Sequence, residues 1–116
     1  MTFASQHGLN APLTPLRFLQ RSAQVHSNKV AAVDGPRRIT FAEFNADAQA
    51  FAHALIADHV AEGDRVGILA SNSYEALLAQ FAVPLARAVT VPINTRLAPR
   101  RGQPHPRPRF HRRAYR

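Results

Sequence analysis

Asp64-Arg65-Val66-Gly67-Ile68-Leu69-Ala70, then Ser71-Asn72-Ser73-Tyr74-Glu75-Ala76-Leu77-Leu78-Ala79-Gln80-Phe81-Ala82-Val83-Pro84-Leu85-Ala86-Arg87, then Ala88-Val89-Thr90-Val91-Pro92-Ile93-Asn94-Thr95-Arg96-Leu97 is the stretch that decides the fold. Two short apolar runs flank a helical pattern, with turn residues at each junction. That layout is a β-α-β crossover, two parallel strands with a helix over one face. It predicts strands near 65–70 and 88–93 and a helix near 73–86, hence an α/β fold. Asn72 and Glu75 have the spacing of a helix cap. Tyr74, Leu77, Leu78, Phe81, Ala82 and Leu85 form the expected buried stripe. Pro84 should kink or end the helix. Arg87 falls where a helix favours glycine, because the chain often turns left-handed there. Parallel strands are normally covered on both faces. Val66, Ile68, Val89 and Val91 are therefore expected to be poorly covered, an aggregation hazard.

Upstream, Thr14-Pro15 opens a helix near 14–26: threonine is a good N-cap, and proline at the first helical position lacks only an N–H that would be unpaired anyway. Leu16, Leu19 and Ala23 share its apolar face. Val30–Val33 reads as a strand, ended by Asp34-Gly35-Pro36, with Arg38-Ile39-Thr40 returning beside it. Thr40-Phe41-Ala42-Glu43 fits a capping box at the head of a helix near 41–59. Phe44, Ala48, Phe51, Ala52, Leu55 and Ile56 fall on one face of that helix.

The chain has 116 residues, enough for one domain, and 46% of them are apolar. No apolar run approaches the roughly 20 residues of a membrane helix. The start, Met1-Thr2-Phe3-Ala4-Ser5-Gln6-His7, lacks the charged and apolar regions of a secretory signal. The absence of cysteine excludes disulfides and thiolate chemistry and fits a cytoplasmic location. The net charge of +8 is unevenly spread. Residues 1–99 hold eight Lys/Arg and seven Asp/Glu, whereas residues 100–116 hold seven Arg and no acid. The chain thus divides into a mobile leader over residues 1–13, a folded part over 14–99, and an Arg/Pro-rich tail over 100–116. The tail carries three prolines and no hydrophobic period, and is expected to be disordered.

Candidate chemistry is sparse. The turn Ala70-Ser71-Asn72-Ser73 is where a doubly wound fold would hold phosphate, but it has no glycine and reads as a plain helix cap. The GxGxxG and GxxxxGK[ST] patterns are absent. His53 and His59 are six apart, off the spacing of a helical metal pair, and His26 is remote from both. Asp58, Glu62 and Asp64 read as solvated loop acids, and Ser71 and Ser73 have no local histidine to activate them. No catalytic, cofactor-binding or metal-binding residue is assigned. The tail, with Phe110 and Tyr115 among arginines, offers weak nonspecific nucleic-acid contact.

Leu13-Thr14-Pro15-Leu16, Asn28-Lys29-Val30-Ala31-Ala32-Val33-Asp34-Gly35 and Arg38-Ile39-Thr40-Phe41-Ala42-Glu43-Phe44-Asn45 resemble the start of the AMP-dependent acyl-adenylate-forming enzymes. Gly63-Asp64-Arg65-Val66-Gly67-Ile68-Leu69, Asn72-Ser73-Tyr74-Glu75 and Val91-Pro92-Ile93-Asn94-Thr95-Arg96-Leu97 continue the resemblance in the family's order. It covers about residues 12–99 and looks most like the fatty-acyl-CoA ligase branch. The resemblance implies ATP-dependent activation of a carboxylic acid to an acyl-adenylate, followed by transfer to coenzyme A. ATP, Mg and coenzyme A are cofactors of the full-length family. The family's phosphate loop ending in Pro-Lys-Gly, its Tyr-Gly-x-Thr-Glu segment, its ribose-binding aspartate and its C-terminal lysine have no counterpart here. Arg87 departs from the family's usual glycine. The expectation is an incomplete N-terminal part of the large domain, inactive as an isolated chain.

The resemblance stops abruptly at Ala98-Pro99. Codons chosen to encode residues 100–110, read one base later, give Ala-Glu-Val-Ser-His-Ile-Leu-Ala-His-Asp, similar to the helix that the family places next. The synonymous codons are free, but a histidine codon there yields only Ile or Thr, and a glutamine codon only Ser or Asn. A frameshift near codon 100 would explain the tail. Three readings follow: a truncated ligase, a small binding or regulatory protein whose tail touches nucleic acid, and one piece of a split ligase completed by a downstream chain.

Overall fold

The computed structural model describes residues 14–96 and 111–112. The leader, residues 1–13, and all of the tail but His111–Arg112 lie outside the described residues. In chain order the elements are α1 (Pro15–Val25), β1 (Val30–Asp34), β2 (Arg37–Thr40), α2 (Phe41–Ala57), β3 (Arg65–Ile68), α3 (Tyr74–Leu85), β4 (Val89–Pro92) and β5 (His111–Arg112).

The helix starts follow local hydrogen-bond chemistry. The Arg17 N–H donates to Thr14 Oγ1 at 3.4 Å. At α2 the capping box is complete: the Glu43 N–H donates to Thr40 Oγ1 at 3.2 Å, and the Thr40 N–H to Glu43 Oε2 at 2.8 Å. Two further first-turn amides of α2 are satisfied by the α1–β1 loop, Phe41 N–H to Lys29 O and Ala42 N–H to Ser27 O. At α3 the cap is Ser73 rather than the expected Asn72; its Oγ accepts from the Ala76 N–H at 3.3 Å.

The helix ends share one device. In α2 the Val60 N–H reaches Leu55 O and the His59 N–H reaches Ile56 O; in α3 the Ala88 N–H reaches Val83 O and the Arg87 N–H reaches Pro84 O. Both are Schellman motifs, and His59 and Arg87 sit at the left-handed position with φ of 63° and 62°. The apolar partners that such a motif brings together, Leu55 with Val60 and Val83 with Ala88, all belong to one buried cluster with Val66. Pro84 lies in the last turn of α3, so its ring ends the helix rather than kinking it midway.

β1 and β2 form an antiparallel hairpin joined by Gly35-Pro36, with Asp34 opposite Arg37 and a bulge between Val30 and Ala32. Gly35 has φ +57°, which supplies the left-handed turn that such a short connection needs. The second sheet has the order β4-β3-β5. β3 and β4 are parallel, with Arg65 opposite Val89 and Ile68 opposite Pro92. β5 runs antiparallel to β3, with Gly67 opposite His111.

The pleat divides the four residues expected to be poorly covered. Val66 and Ile68 face α3 and are only 3% and 5% exposed, whereas Val89 and Val91 face the other way at 50% and 37%. The expectation is thus corrected for Val66 and Ile68: one helix suffices to cover one face. β4 also manages its outer edge. Val89 N–H and Ile93 N–H both donate to β3-side carbonyls, those of Asp64 and Ile68. By alternation Thr90 and Pro92 turn their backbone outward, and proline has no N–H, so this edge offers an incoming strand only the Thr90 amide as donor.

A second buried cluster, Leu19, Ile39, Phe44, Ala48 and Tyr74, joins α1, the hairpin, α2 and α3. Phe44 is its centre, edge-on to Tyr74 at 5.7 Å and to Phe81 at 5.1 Å between ring centroids. The stripe expected on α3 shifts: Leu77 is exposed, while Ala79 and Val83 are fully buried. On α2, Ile56 is likewise exposed.

Candidate functional site

The turn after β3 and the start of α3 are the place where a crossover unit presents free backbone N–H groups to an anion. In this chain those groups meet the protein's own side chains. The Tyr74 N–H donates to Asp34 Oδ2 at 2.9 Å, and the Ala76 N–H to Ser73 Oγ. Asp34 arrives from the end of β1 because the tight Gly35-Pro36 turn carries it against the helix. A carboxylate is a favourable cap at the positive end of a helix.

Arg37, directly across the hairpin from Asp34, ties the joint together. Its Nη2 lies 2.8 Å from Asp34 Oδ2 and 2.8 Å from Glu75 Oε1. The guanidinium also stacks over the Tyr74 ring, 5.4 Å from its centroid. The Tyr74 hydroxyl donates to Asp47 Oδ2 of α2 at 2.8 Å. Hairpin, α2 and α3 thus meet at one polar knot above the Phe44 cluster.

The charges respond accordingly. The Tyr74 N–H and then Arg37 hold the Asp34 carboxyl below its usual value. Glu75 is held down by its own backbone N–H and by Arg37, and Glu43 by the Thr40 backbone and hydroxyl. The two carboxylates raise Arg37. Burial, followed by the neighbouring Asp47, pushes the Tyr74 phenol up. Three carboxylates, from Asp34, Asp47 and Glu75, therefore surround this helix start against one arginine. Of the first-turn amides, those of Tyr74 and Ala76 are engaged by Asp34 and Ser73.

The other sequence candidates stay apart. His26, His53 and His59 are exposed on separate elements, and Ser71 is exposed. Asp64 accepts from the Ala61 N–H at 2.9 Å and so closes the loop before β3. Glu62 pairs at the surface with Arg87 at 3.0 Å. Among the described residues there is no group of three or more metal-ligating side chains, and no helix is long and apolar enough to cross a membrane. The Asp34–Arg37–Glu75 knot was not legible in the sequence, since its members lie up to 41 residues apart; only the turn between Asp34 and Arg37 hinted at it.

Comparison with known proteins places the scaffold. Residues 19–103 match the AMP-binding enzyme family. The probable acyl-activating enzyme 22 of Arabidopsis thaliana is 38% identical over 88 residues, which cover 76% of this chain and 16% of that protein. The peroxisomal benzoate–CoA ligase of the same plant is 36% identical over 88 residues, covering 76% of this chain and 15% of that protein. Among solved structures, a putative long-chain-fatty-acid CoA ligase from Rhodopseudomonas palustris superposes with a TM-score of 0.71 at 32% identity, over 76% of this chain and 22% of the other. The O-succinylbenzoate coenzyme A synthetase of Bacillus subtilis, in complex with AMP, superposes with a TM-score of 0.67 at 32% identity, over 70% of this chain and 21% of the other. The chain spans about one sixth of the length of the curated relatives that it matches. The α/β unit described above therefore corresponds to part of an adenylate-forming domain. With a match over most of its length and the same fold over the described core, the chain belongs to the AMP-binding enzyme family.

Proposed function

We propose that this chain supplies the opening scaffold of an ATP-dependent acid–thiol ligase and none of its chemistry. The family reaction would be activation of a carboxylic or fatty acid through an acyl-adenylate to an acyl-CoA. The observation that carries this reading is the ordered match over residues 19–103 to a family whose curated members are matched over only about one sixth of their length. The self-capped start of α3 supports it, because triphosphate chemistry needs convergent donors aimed at developing charge, and here the donors are spent on Asp34 and Ser73. ATP–pyrophosphate exchange with a panel of carboxylic acids tests it: the isolated chain gives the no-protein blank, and exchange above that blank overturns the reading.

A second reading, one piece of a split ligase, is favoured by the bare sheet face of Val89, Val91 and Ile93, which a parallel sheet would normally cover. A complementing chain would bury these residues. The frameshift near codon 100 belongs to either reading. The family match runs to residue 103, four residues beyond Pro99, so the change of frame would fall within or just after that short overlap. The gene's nucleotides decide it: the alternate frame after Pro99 encodes a continuing ligase helix, or the explanation fails.

A further inference from the structure

Asp34 is the only aspartate of the chain that is followed by glycine. A glycine carries no side chain to hinder its own nitrogen, so that nitrogen can reach back to the carboxyl of the residue before it. Gly35 and Pro36 are exposed, and nothing lies within 4 Å of where a Cβ on Gly35 would sit. Water therefore reaches the Asp34–Gly35 bond. The chemistry open to this pair balances without any other reactant. The Gly35 nitrogen attacks Cγ of the protonated Asp34 carboxyl. The nitrogen's proton and the carboxyl hydroxyl leave as water, and a five-membered succinimide closes. Water then adds back at one of the two ring carbonyls. Cleavage of the new N–Cγ bond restores aspartate. Cleavage of the original peptide bond leaves the main chain running through Cγ, which is isoaspartate.

In the folded chain this reaction is restrained by the polar joint. Asp34 Oδ2 accepts from the Tyr74 N–H at 2.9 Å and from Arg37 Nη2 at 2.8 Å. Both donors favour the ionised carboxylate, whereas ring closure needs the protonated one. The side chain is still 34% exposed, so these donors restrain it more than burial does. The backbone opposes closure as well. Asp34 is the last residue of β1 and pairs with Arg37, and the ring forms only if the Gly35 nitrogen rotates away from that extended path toward Cγ. Arg37 is itself anchored, by Glu75 at 2.8 Å and over the Tyr74 ring.

The product would undo the same joint. Isoaspartate lengthens the main chain by one methylene at the tightest point of the hairpin. It also moves the free carboxylate onto the former main-chain carbon. The Asp34–Arg37 register and the Tyr74 N–H cap cannot both survive that change. We propose that Asp34-Gly35 is an isoaspartate-forming site that Arg37 and the start of α3 hold closed in the folded chain, and that its reaction unlatches α3 from the hairpin.

Ageing of the full chain at neutral pH, followed by peptide mapping, tests this. Succinimide appears as the loss of one water, and isoaspartate as an unchanged mass at a new retention time. The folded chain should accumulate both on the order of tenfold more slowly than the same chain in urea, and Arg37→Ala on the order of tenfold faster than the folded wild type. Arg87→Ala, which loosens the far end of α3, should age like the wild type. If Arg37→Ala loses its helical signal, Arg37→Gln, which keeps a neutral donor and folds with less disturbance, is read in its place with the same direction expected. Equal rates for the folded and urea-treated wild type overturn the proposal. So does an Arg37 variant that ages no faster than the wild type, or one that ages no faster than Arg87→Ala. Hydrogen exchange of the aged, purified isoaspartate form should show lost protection at the Tyr74 amide; retained protection there overturns the unlatching.

Discussion

Helix α3 ends on an arginine held in the left-handed region, φ +62°, where a side chain crowds its own carbonyl. The motif around it is otherwise complete, with both Schellman hydrogen bonds made at 3.1 and 2.9 Å. Arg87→Gly would relieve roughly 1–2 kcal/mol of strain. Against this stand about 0.5–1 kcal/mol for the greater freedom of glycine in the unfolded chain and about 0–1 kcal/mol for the lost Glu62 pair, which is exposed on both sides and screened by solvent. Arg87→Ala loses the same ion pair but keeps the strain. The Gly variant is therefore expected to exceed the Ala variant by about 0.5–1 kcal/mol, or by about 4–8 °C per kcal/mol for a unit of this size. Urea unfolding of the three proteins, followed by circular dichroism at low and at high salt, measures it. The Gly–Ala difference should not change with salt, whereas the wild-type–Ala difference should shrink as salt rises. An Ala variant as stable as the Gly variant would show that φ at this position carries no strain and would refute the reasoning.

His59→Gly tests the same argument at the end of α2, where the φ is 63°, and its gain should add to that of Arg87→Gly in the double variant. Thr40→Ala removes the capping box of α2 and is expected to cost about 1 kcal/mol by urea unfolding; no loss would mean that the loop carbonyls of Lys29 and Ser27 suffice. For Asp34, Glu43 and Glu75 the folded values lie below the ordinary 3.8 and 4.5, so their stabilisation is complete above that range and is lost as pH falls through the depressed values. Asp34→Ala should flatten this acid limb, and an unchanged limb would place the pH dependence elsewhere. Tyr74 has the opposite sign: its folded value is raised above 10.0, so its contribution is intact below that pH and is lost as pH rises beyond it. Tyr74→Phe should remove that alkaline loss. Pro92→Thr restores an outward N–H to the free edge of β4 and is expected to raise light scattering on incubation; equal scattering would refute a guarding role for Pro92.

The devices written in short windows were legible in the sequence. Thr14-Pro15, the Thr40–Glu43 box and the crossover from β3 to β4 each need only a few neighbouring residues to be recognised. Faces were harder. α3 is apolar nearly all round, so its periodicity could not choose a side, and packing against α2 and the sheet selected Ala79 and Val83 instead of Leu77. Ala48, Ala79 and Ala82 occupy the tightest places; the expected faces included Ala48 and Ala82, but Ala79 lay off the stripe drawn through the larger side chains of its helix. The cap at Ser73 rather than Asn72 was likewise out of reach, because Asp34 arrives from another element to take the Tyr74 amide. Of the two left-handed helix ends, Arg87 was visible as a departure from a glycine pattern; His59 lay inside what read as helix and gave no such signal. The pairing of His111–Arg112 with β3 has no trace in hydrophobic pattern, since the segment has none.

The central claim is that this chain provides scaffold and no chemistry. The most direct measurement grafts residues 19–103 of this chain into a full-length acyl-CoA ligase in place of that enzyme's matching segment and assays ATP–pyrophosphate exchange. The account predicts a soluble chimera whose exchange rate stays within about tenfold of the parent, a barrier change below about 1.4 kcal/mol. A folded chimera whose exchange falls to the blank would contradict it.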